Sequence, residues 1–244
     1  MKRLFSVFLL LMSLHGFSQT YNDRAALLEI GYGVAVPFGK FESIDVNDSA
    51  SGYATSGTNL NVLFTYMLNK KIGVSAMISS SVNKLNETGV ENKFNVFAER
   101  LGDAFVSDMQ LAKWNTIAYM AGAQFIHPFQ KAAFNLQLLA GYSRTEYPEA
   151  NVIIYKDTSI DAVTADQYAE SVSSAFCINA GVGLKYNVSD IMCLNVNANF
   201  FSAYPEFDDI KTVSTVNGIT TEEIHSYHQR VSLLNVTVGV GFRF

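Results

Sequence analysis

The sequence predicts an all-β fold, an eight-stranded antiparallel up-and-down transmembrane β-barrel with a helix in the second long loop. Three observations lead there. Apolar residues recur at every second position in eight separate segments. The connections between those segments alternate short and long. The second face of the segments is neutral, polar and glycine-rich where a solvated sheet would carry many charges.

The segments run in order. Residues 27–38 carry Leu28, Ile30, Tyr32, Val34, Val36 and Phe38 on one face. Residues 57–68 carry Leu60, Val62, Phe64, Tyr66 and Leu68. Residues 72–83 follow with Ile72, Val74, Ala76 and Ile78, and 114–127 with Ile117, Tyr119, Ala121, Ala123 and Phe125. Residues 133–145 present Phe134, Leu136, Leu138, Ala140 and Tyr142. Residues 173–186 present Phe176, Ile178, Ala180, Val182, Leu184 and Tyr186, and 191–203 present Met192, Leu194, Val196, Ala198 and Phe200. The last segment, 230–244, sets Leu234, Val236, Val238, Val240, Phe242 and Phe244 against Asn235, Thr237, Gly239, Gly241 and Arg243.

Connections 69–71, 127–132 and 187–190 are short; 39–56, 84–113, 146–172 and 204–229 are long. This alternation places the short turns at one end of a barrel and the long loops at the other. A secreted soluble lipocalin-like barrel is the rival fold. It would expose its second face to water, yet here that face holds Asn59, Asn61, Gln124, Asn135, Asn197 and their like, with only Glu29, Lys185 and Arg243 charged. Such groups suit a wet, packed interior, so the aliphatic face is expected to meet lipid, with backbone polarity satisfied by closing the sheet. Aromatics at both ends (Tyr66, Phe125, Tyr186 and Phe242; Phe38, Tyr142 and Phe200) suit two interfacial girdles.

Lys2 and Arg3 followed by the apolar run 4–14 and the exit Gly16-Phe17-Ser18 form a signal-peptide pattern, with cleavage expected after Ser18. The expected organisation is therefore a signal peptide at 1–18 and one barrel domain at 19–244. Mean hydropathy is +0.14, and no second long apolar run occurs, which excludes a helical membrane protein.

The export signal, eight strands, acidic long loops and terminal Phe244 resemble the small OmpA/OmpX-type outer-membrane barrels. The Phe17-Ser18-Gln19 exit and Tyr/Asn-rich strands are similar to outer-membrane β-barrel domain proteins of Bacteroidota. The resemblance covers the whole mature chain and carries no catalytic motif. It implies integral residence in the bacterial outer membrane, contact with lipid and lipopolysaccharide, and insertion by the barrel-assembly machinery. That machinery recognises the last strand, which makes Phe242 and Phe244 the implied assembly signal. Such families include adhesins and structural proteins. No peptidoglycan-binding segment follows Phe244, so a wall tether is not expected.

Candidate sites follow from position. Eight strands enclose an interior that side chains fill, which disfavours a diffusion pore. Glu29, Lys185 and Arg243 form an expected interior ion cluster at the short-turn end, with Glu29 pairing Arg243 because closure sets the first strand beside the last. Cys177 and Cys193 face inward about 20 Å apart, too far for a disulfide. In the second long loop, Phe94, Phe97, Leu101 and Phe105 define the apolar face of a helix expected over 94–109. The loops are acidic: Glu146, Glu149, Asp157, Asp161, Asp166 and Glu170 face only Lys156 in the third. That balance disfavours nucleic acid and favours divalent cations or a basic surface partner.

Glu222, Glu223, His225, Ser226 and His228 are the one patch with catalytic residue types, as for an outer-membrane lipid-acting enzyme. Adjacent Ser and His on a strand point to opposite faces, a poor dyad. The expected function is a non-enzymatic envelope structural or surface-binding protein without cofactor or resident metal.

Overall fold

The computed structural model describes residues 25–244 apart from 102–103, 157–161, 169–170 and 217–218. The signal-peptide segment, 1–18, lies outside the described residues. Eight strands close a barrel: β1 (Ala26–Pro37), β2 (Gly57–Met67), β3 (Ile72–Lys84), β5 (Lys113–Phe129), β6 (Ala132–Tyr147), β9 (Ser171–Asn187), β10 (Met192–Ala203) and β13 (Val231–Arg243). Each pairs antiparallel with its neighbour along the chain, and β1 closes on β13 from Leu27↔Arg243 to Pro37↔Leu233. Closure leaves no free edge in the barrel.

The two faces sort as the alternation predicts. Ile30, Leu138 and Val238 are 44%, 66% and 63% exposed on the outside, whereas Asn59, Gln124, Asn135 and Asn195 are buried within. Tyr119, Tyr142 and Phe176 are cross-strand neighbours in a row on the outer wall. Inward glycines make room for the amides: a Cβ at Gly183 would run into the side-chain oxygen of Asn197.

The turns at one end are tight. Asn69 Oδ1 accepts from the amides of Lys71 and Ile72, both at 2.9 Å. Between β5 and β6 only Gln130 and Lys131 intervene, and Gln130 takes φ 53°. That left-handed first position is one a two-residue hairpin usually gives to glycine.

The long connections carry more structure than the sequence reading expected. The second, third and fourth contain β4 (Ala104–Leu111), β7 (Ala150–Lys156), β8 (Ala162–Tyr168), β11 (Glu206–Val216) and β12 (Ile219–His228). These pair in the order β12-β11-β8-β7-β4. Because β4 leads into β5, β7 continues β6, β8 leads into β9, β11 continues β10 and β12 leads into β13, the second sheet prolongs one side of the barrel wall. The first long connection and α1 (Glu87–Leu101) pack against this sheet, with Val90 and Phe94 meeting Tyr53 and Val152 of β7. The two parts form a crown.

The helix corrects the expected bounds of 94–109. It begins at Glu87, where Asn86 Oδ1 accepts from the Gly89 amide at 2.8 Å as an N-cap. It ends at Leu101, and Phe105 and Met109 belong instead to β4, which pairs with β7. Phe94 is buried with Tyr53, Val90 and Val152. The side chains of Phe97, Leu101 and Phe105 lie outside the described residues.

Candidate functional site

The lumen is built in layers. At the short-turn end, inward parity on β1, β9 and β10 brings together Glu29, Lys185 and Asn195. Lys185 Nζ donates to Glu29 Oε2 at 2.5 Å, and Asn195 Nδ2 to Glu29 Oε1 at 2.9 Å. Glu29 and Lys185 are 2% and 1% exposed, so each charge depends on the other for compensation. The expected Glu29–Arg243 pair is not formed. Leu27, not Glu29, stands opposite Arg243 in the register, and Arg243 Nη2 turns to Asn187 Oδ1 at 2.6 Å. The longer reach is across the lumen, where the lysine stem spans from β9 to Glu29.

Above this floor the amides chain together. Asn197 Nδ2 donates to Asn195 Oδ1 at 3.1 Å, and Gln137 Nε2 donates to Asn199 Oδ1. On the opposite wall, Asn59 donates to Ser79 and Ser81, each at 2.9 Å, and Thr65 donates to Gln124 at 2.8 Å. On β2 and β3 the apolar Leu63 and Met77 fall between Thr65 and Ser75 on the turn side and Asn61 and Ser79 on the crown side, and they join Met120, Leu139, Phe201 and Leu233 in one cluster within the lumen. Cys177 and Cys193 are buried and free, at opposite ends of the β9–β10 pair.

Aromatic rings close the crown end. Trp114 lies 5.4 Å from Phe41, 5.2 Å from Tyr147 and 6.1 Å from Phe207. Its indole N–H donates to the Gly52 carbonyl at 3.0 Å. Tyr147 stacks edge-on with Tyr227 at 5.4 Å. The Tyr227 hydroxyl lies 2.9 Å from the Ser51 carbonyl and 2.5 Å from Gln229 Oε1, tying β12 to the first connection. Burial pushes the Tyr227 hydroxyl pKa up, with the neighbouring Tyr147 adding to the effect.

Over this aromatic floor is a cavity of 720 Å³, within the range of ligand pockets. One wall is the odd-numbered face of β12: Thr221, Glu223, His225 and Tyr227. The facing wall comes from the first connection and α1, through Val46, Tyr53, Val90, Lys93 and Phe94. Tyr53 is held at φ 52°, a left-handed conformation unusual for a bulky residue, by its amide donating to Ser43 O at 3.0 Å. Lys93 Nζ sits 5.5 Å from the centre of the Tyr53 ring.

His225 Nε2 contacts Glu223 at 3.2 Å, whereas His228 Nδ1 contacts Glu206 at 3.6 Å. The two histidines thus serve separate acids and do not converge. Among the described residues no group of three or more His, Cys, Asp or Glu gathers as a metal site. Sequence reasoning missed Phe41, Trp114, Tyr147, Phe207 and the cavity. Inward parity of Trp114 on β5 was the signal available.

No protein-family model matches the chain, and no curated protein matches it in sequence. Solved structures similar to it include Ail, the attachment invasion locus protein of Yersinia pestis, at 13% identity and TM-score 0.42, covering 91% of this chain and 99% of that one. The outer membrane protein OprG from Pseudomonas aeruginosa is similar at 13% identity and TM-score 0.43, covering 91% and 97%. A major outer membrane protein from Thermus thermophilus gives 10% identity and TM-score 0.49, covering 90% and 100%.

Proposed function

We propose that this chain is an integral protein of the bacterial outer membrane, exported through a cleaved signal peptide, whose barrel anchors the crown at the outer surface as a non-enzymatic structural or binding module. The observation that carries this reading is the inverted polarity of the barrel. All eight strands turn aliphatic and aromatic side chains outward, and amides, hydroxyls and the Glu29–Lys185 pair inward. In water that outer belt would be a very large exposed apolar patch; in a bilayer it is the solvent-matched face. The packed interior, filled by amides, the ion pair and the apolar cluster, supports an anchoring role over diffusion.

Lipid and lipopolysaccharide are then the surroundings of the outer belt, and the barrel-assembly machinery inserts the chain by its last strand. Phe242 and Phe244 are exposed at that strand's end, with the Phe244 ring 6.4 Å from Phe64. Their role as an assembly signal exceeds what their packing explains, and Phe244→Ala is expected to lower the yield of the folded, heat-modifiable band.

Topology is tested by labelling single cysteines on whole cells with an impermeant reagent, in a background where the buried Cys177 and Cys193 are unreactive. Reaction at Glu91→Cys, on the exposed face of α1, and protection at Lys70→Cys are expected. The reverse pattern, or recovery of the protein in the soluble fraction, would overturn the proposal.

A further inference from the structure

We propose that the crown cavity is a binding site for an acidic sugar, one or two pyranose rings bearing a carboxylate. The inference rests on the surface placement of the crown proposed above and assigns its ligand. Size sets the first limit: at 720 Å³ the cavity admits one or two rings and excludes a folded partner.

The walls set the chemistry. Apolar and aromatic groups, among them Tyr53, Phe94 and Tyr227, alternate with Asn47, Ser49, Thr221 and Ser226. A sugar matches such a mixture, with C–H faces for the rings and hydroxyls for the polar groups. Thr212, which lines the cavity, keeps a buried Oγ1 without a hydrogen-bond partner. A buried hydroxyl left so is costly, and a bound hydroxyl supplies the missing partner. The Glu223–His225 pair offers a carboxylate and an imidazole at 3.2 Å for further hydroxyls.

Lys93 supplies the charge selection. Among the described residues it makes no ion pair, and its contact is the face of the Tyr53 ring. Protein atoms around the ammonium withdraw solvent and lower its pKa, while the residue keeps enough surface to meet a ligand. A carboxylate is the natural complement. Glu223 on the cavity wall and Asp45 and Asp48 near Tyr53 oppose polyanions, so one carboxylate per ligand is what the cavity accommodates.

Trp114, the chain's single tryptophan, lines the cavity and reports on it directly. The full-length mature protein in phosphatidylcholine nanodiscs is titrated with galacturonate, which carries one carboxylate, and, separately, with its methyl ester, which keeps the ring and loses the charge. Galacturonate is expected to give a saturable change in Trp114 fluorescence. The ester and Lys93→Met are expected to bind at least about tenfold more weakly, with Lys93→Arg close to the parent, as befits loss or retention of a charged hydrogen bond.

Lipopolysaccharide in the nanodisc distinguishes two sources of the same chemistry. Suppression of the response assigns the site to acidic sugars of the envelope itself, and an unchanged response assigns it to soluble glycan. Equal binding of acid and ester, Lys93→Met binding like the parent, or no saturable response from protein of heat-modifiable mobility would overturn the inference. Cysteine labelling on whole cells is independent of that titration, so a surface-exposed crown that ignores the sugar sinks this inference alone.

Discussion

The two ends of the lumen are closed by opposite means. At the short-turn end a buried ion pair is clasped by amides, on strands whose register runs without interruption. At the crown end aromatic rings from β5, β6, β11 and β12 pack together, and the second sheet beside them shifts register, between Val106 and Asp108 in β4 and between Phe207 and Ile210 in β11. A charge pair demands alignment, because a misplaced partner leaves a charge uncompensated. Rings meet over a broad range of angles and tolerate bulges. The barrel therefore keeps its regular end where a charge pair is buried and its irregular end where aromatic rings pack.

The sharpest way to break this contrast is at the floor. Lys185→Met leaves Glu29 buried with only Asn195, at an expected cost of about 3–5 kcal/mol in urea unfolding from lipid vesicles. Glu29→Gln combined with Lys185→Met should recover most of the loss. Arg243→Gln, which removes only the bond to Asn187, should cost roughly 1 kcal/mol. Equal losses for Lys185 and Arg243 would show that the ion cluster has a different pairing.

Trp114→Ala removes the ring shared by Phe41, Tyr147 and Phe207, at about 3–5 kcal/mol if confined to one cooperative unit. Because the barrel ladder below is continuous, the effect should appear as faster hydrogen exchange in α1 and β12, with β1 and β13 protected. Exchange rising uniformly would mean that floor and crown are one unit.

Alkali should separate the two ends more gently. Burial raises the Tyr227 pKa, so the closed crown binds this proton more tightly than an opened one, where tyrosine ionises at about pH 10. The closed crown keeps its full stability below that pH and loses it as pH rises further. Tyrosinate absorbance and exchange of α1 should rise together above about pH 10. Tyr227→Phe should blunt that dependence while costing about 1 kcal/mol at neutral pH. The smallest effect is expected at Gln130→Gly, which relieves the φ 53° turn and adds at most about 1 kcal/mol of stability.

The eight barrel strands were legible because the apolar outer belt and the polar lumen impose unlike chemistry on successive residues, as in Leu136, Gln137 and Leu138. The crown strands were not. Glu222, Glu223 and Ile224 all meet solvent, so no contrast marks the strand, and the bulges in β4, β8 and β11 break the period of two. Parity told that Glu29, Lys185 and Arg243 face inward, but it is blind to reach across a lumen. Helix periodicity found Phe94 and overran Gly102, because β4 carries its apolar residues at spacings a helix can also show. Phe41 and Tyr53 sit in an irregular connection, where no period exists to place them.

The seam between β1 and β13 has a consequence for how the molecule comes into being. Its two strands are separated by nearly the whole chain, and Ala26 and Phe244 exchange both backbone hydrogen bonds at its last rung, each at 3.0 Å. The partly made sheet has two unpaired borders until that final rung arrives. The entropy of joining such distant segments is met only at the end. Growth from the amino terminus cannot yield a stable half-product in a bilayer, since exposed strand borders have no water to satisfy them. On the membrane placement proposed above, the fold is thus all-or-none, and its two borders must be held together until the β1–β13 rung forms.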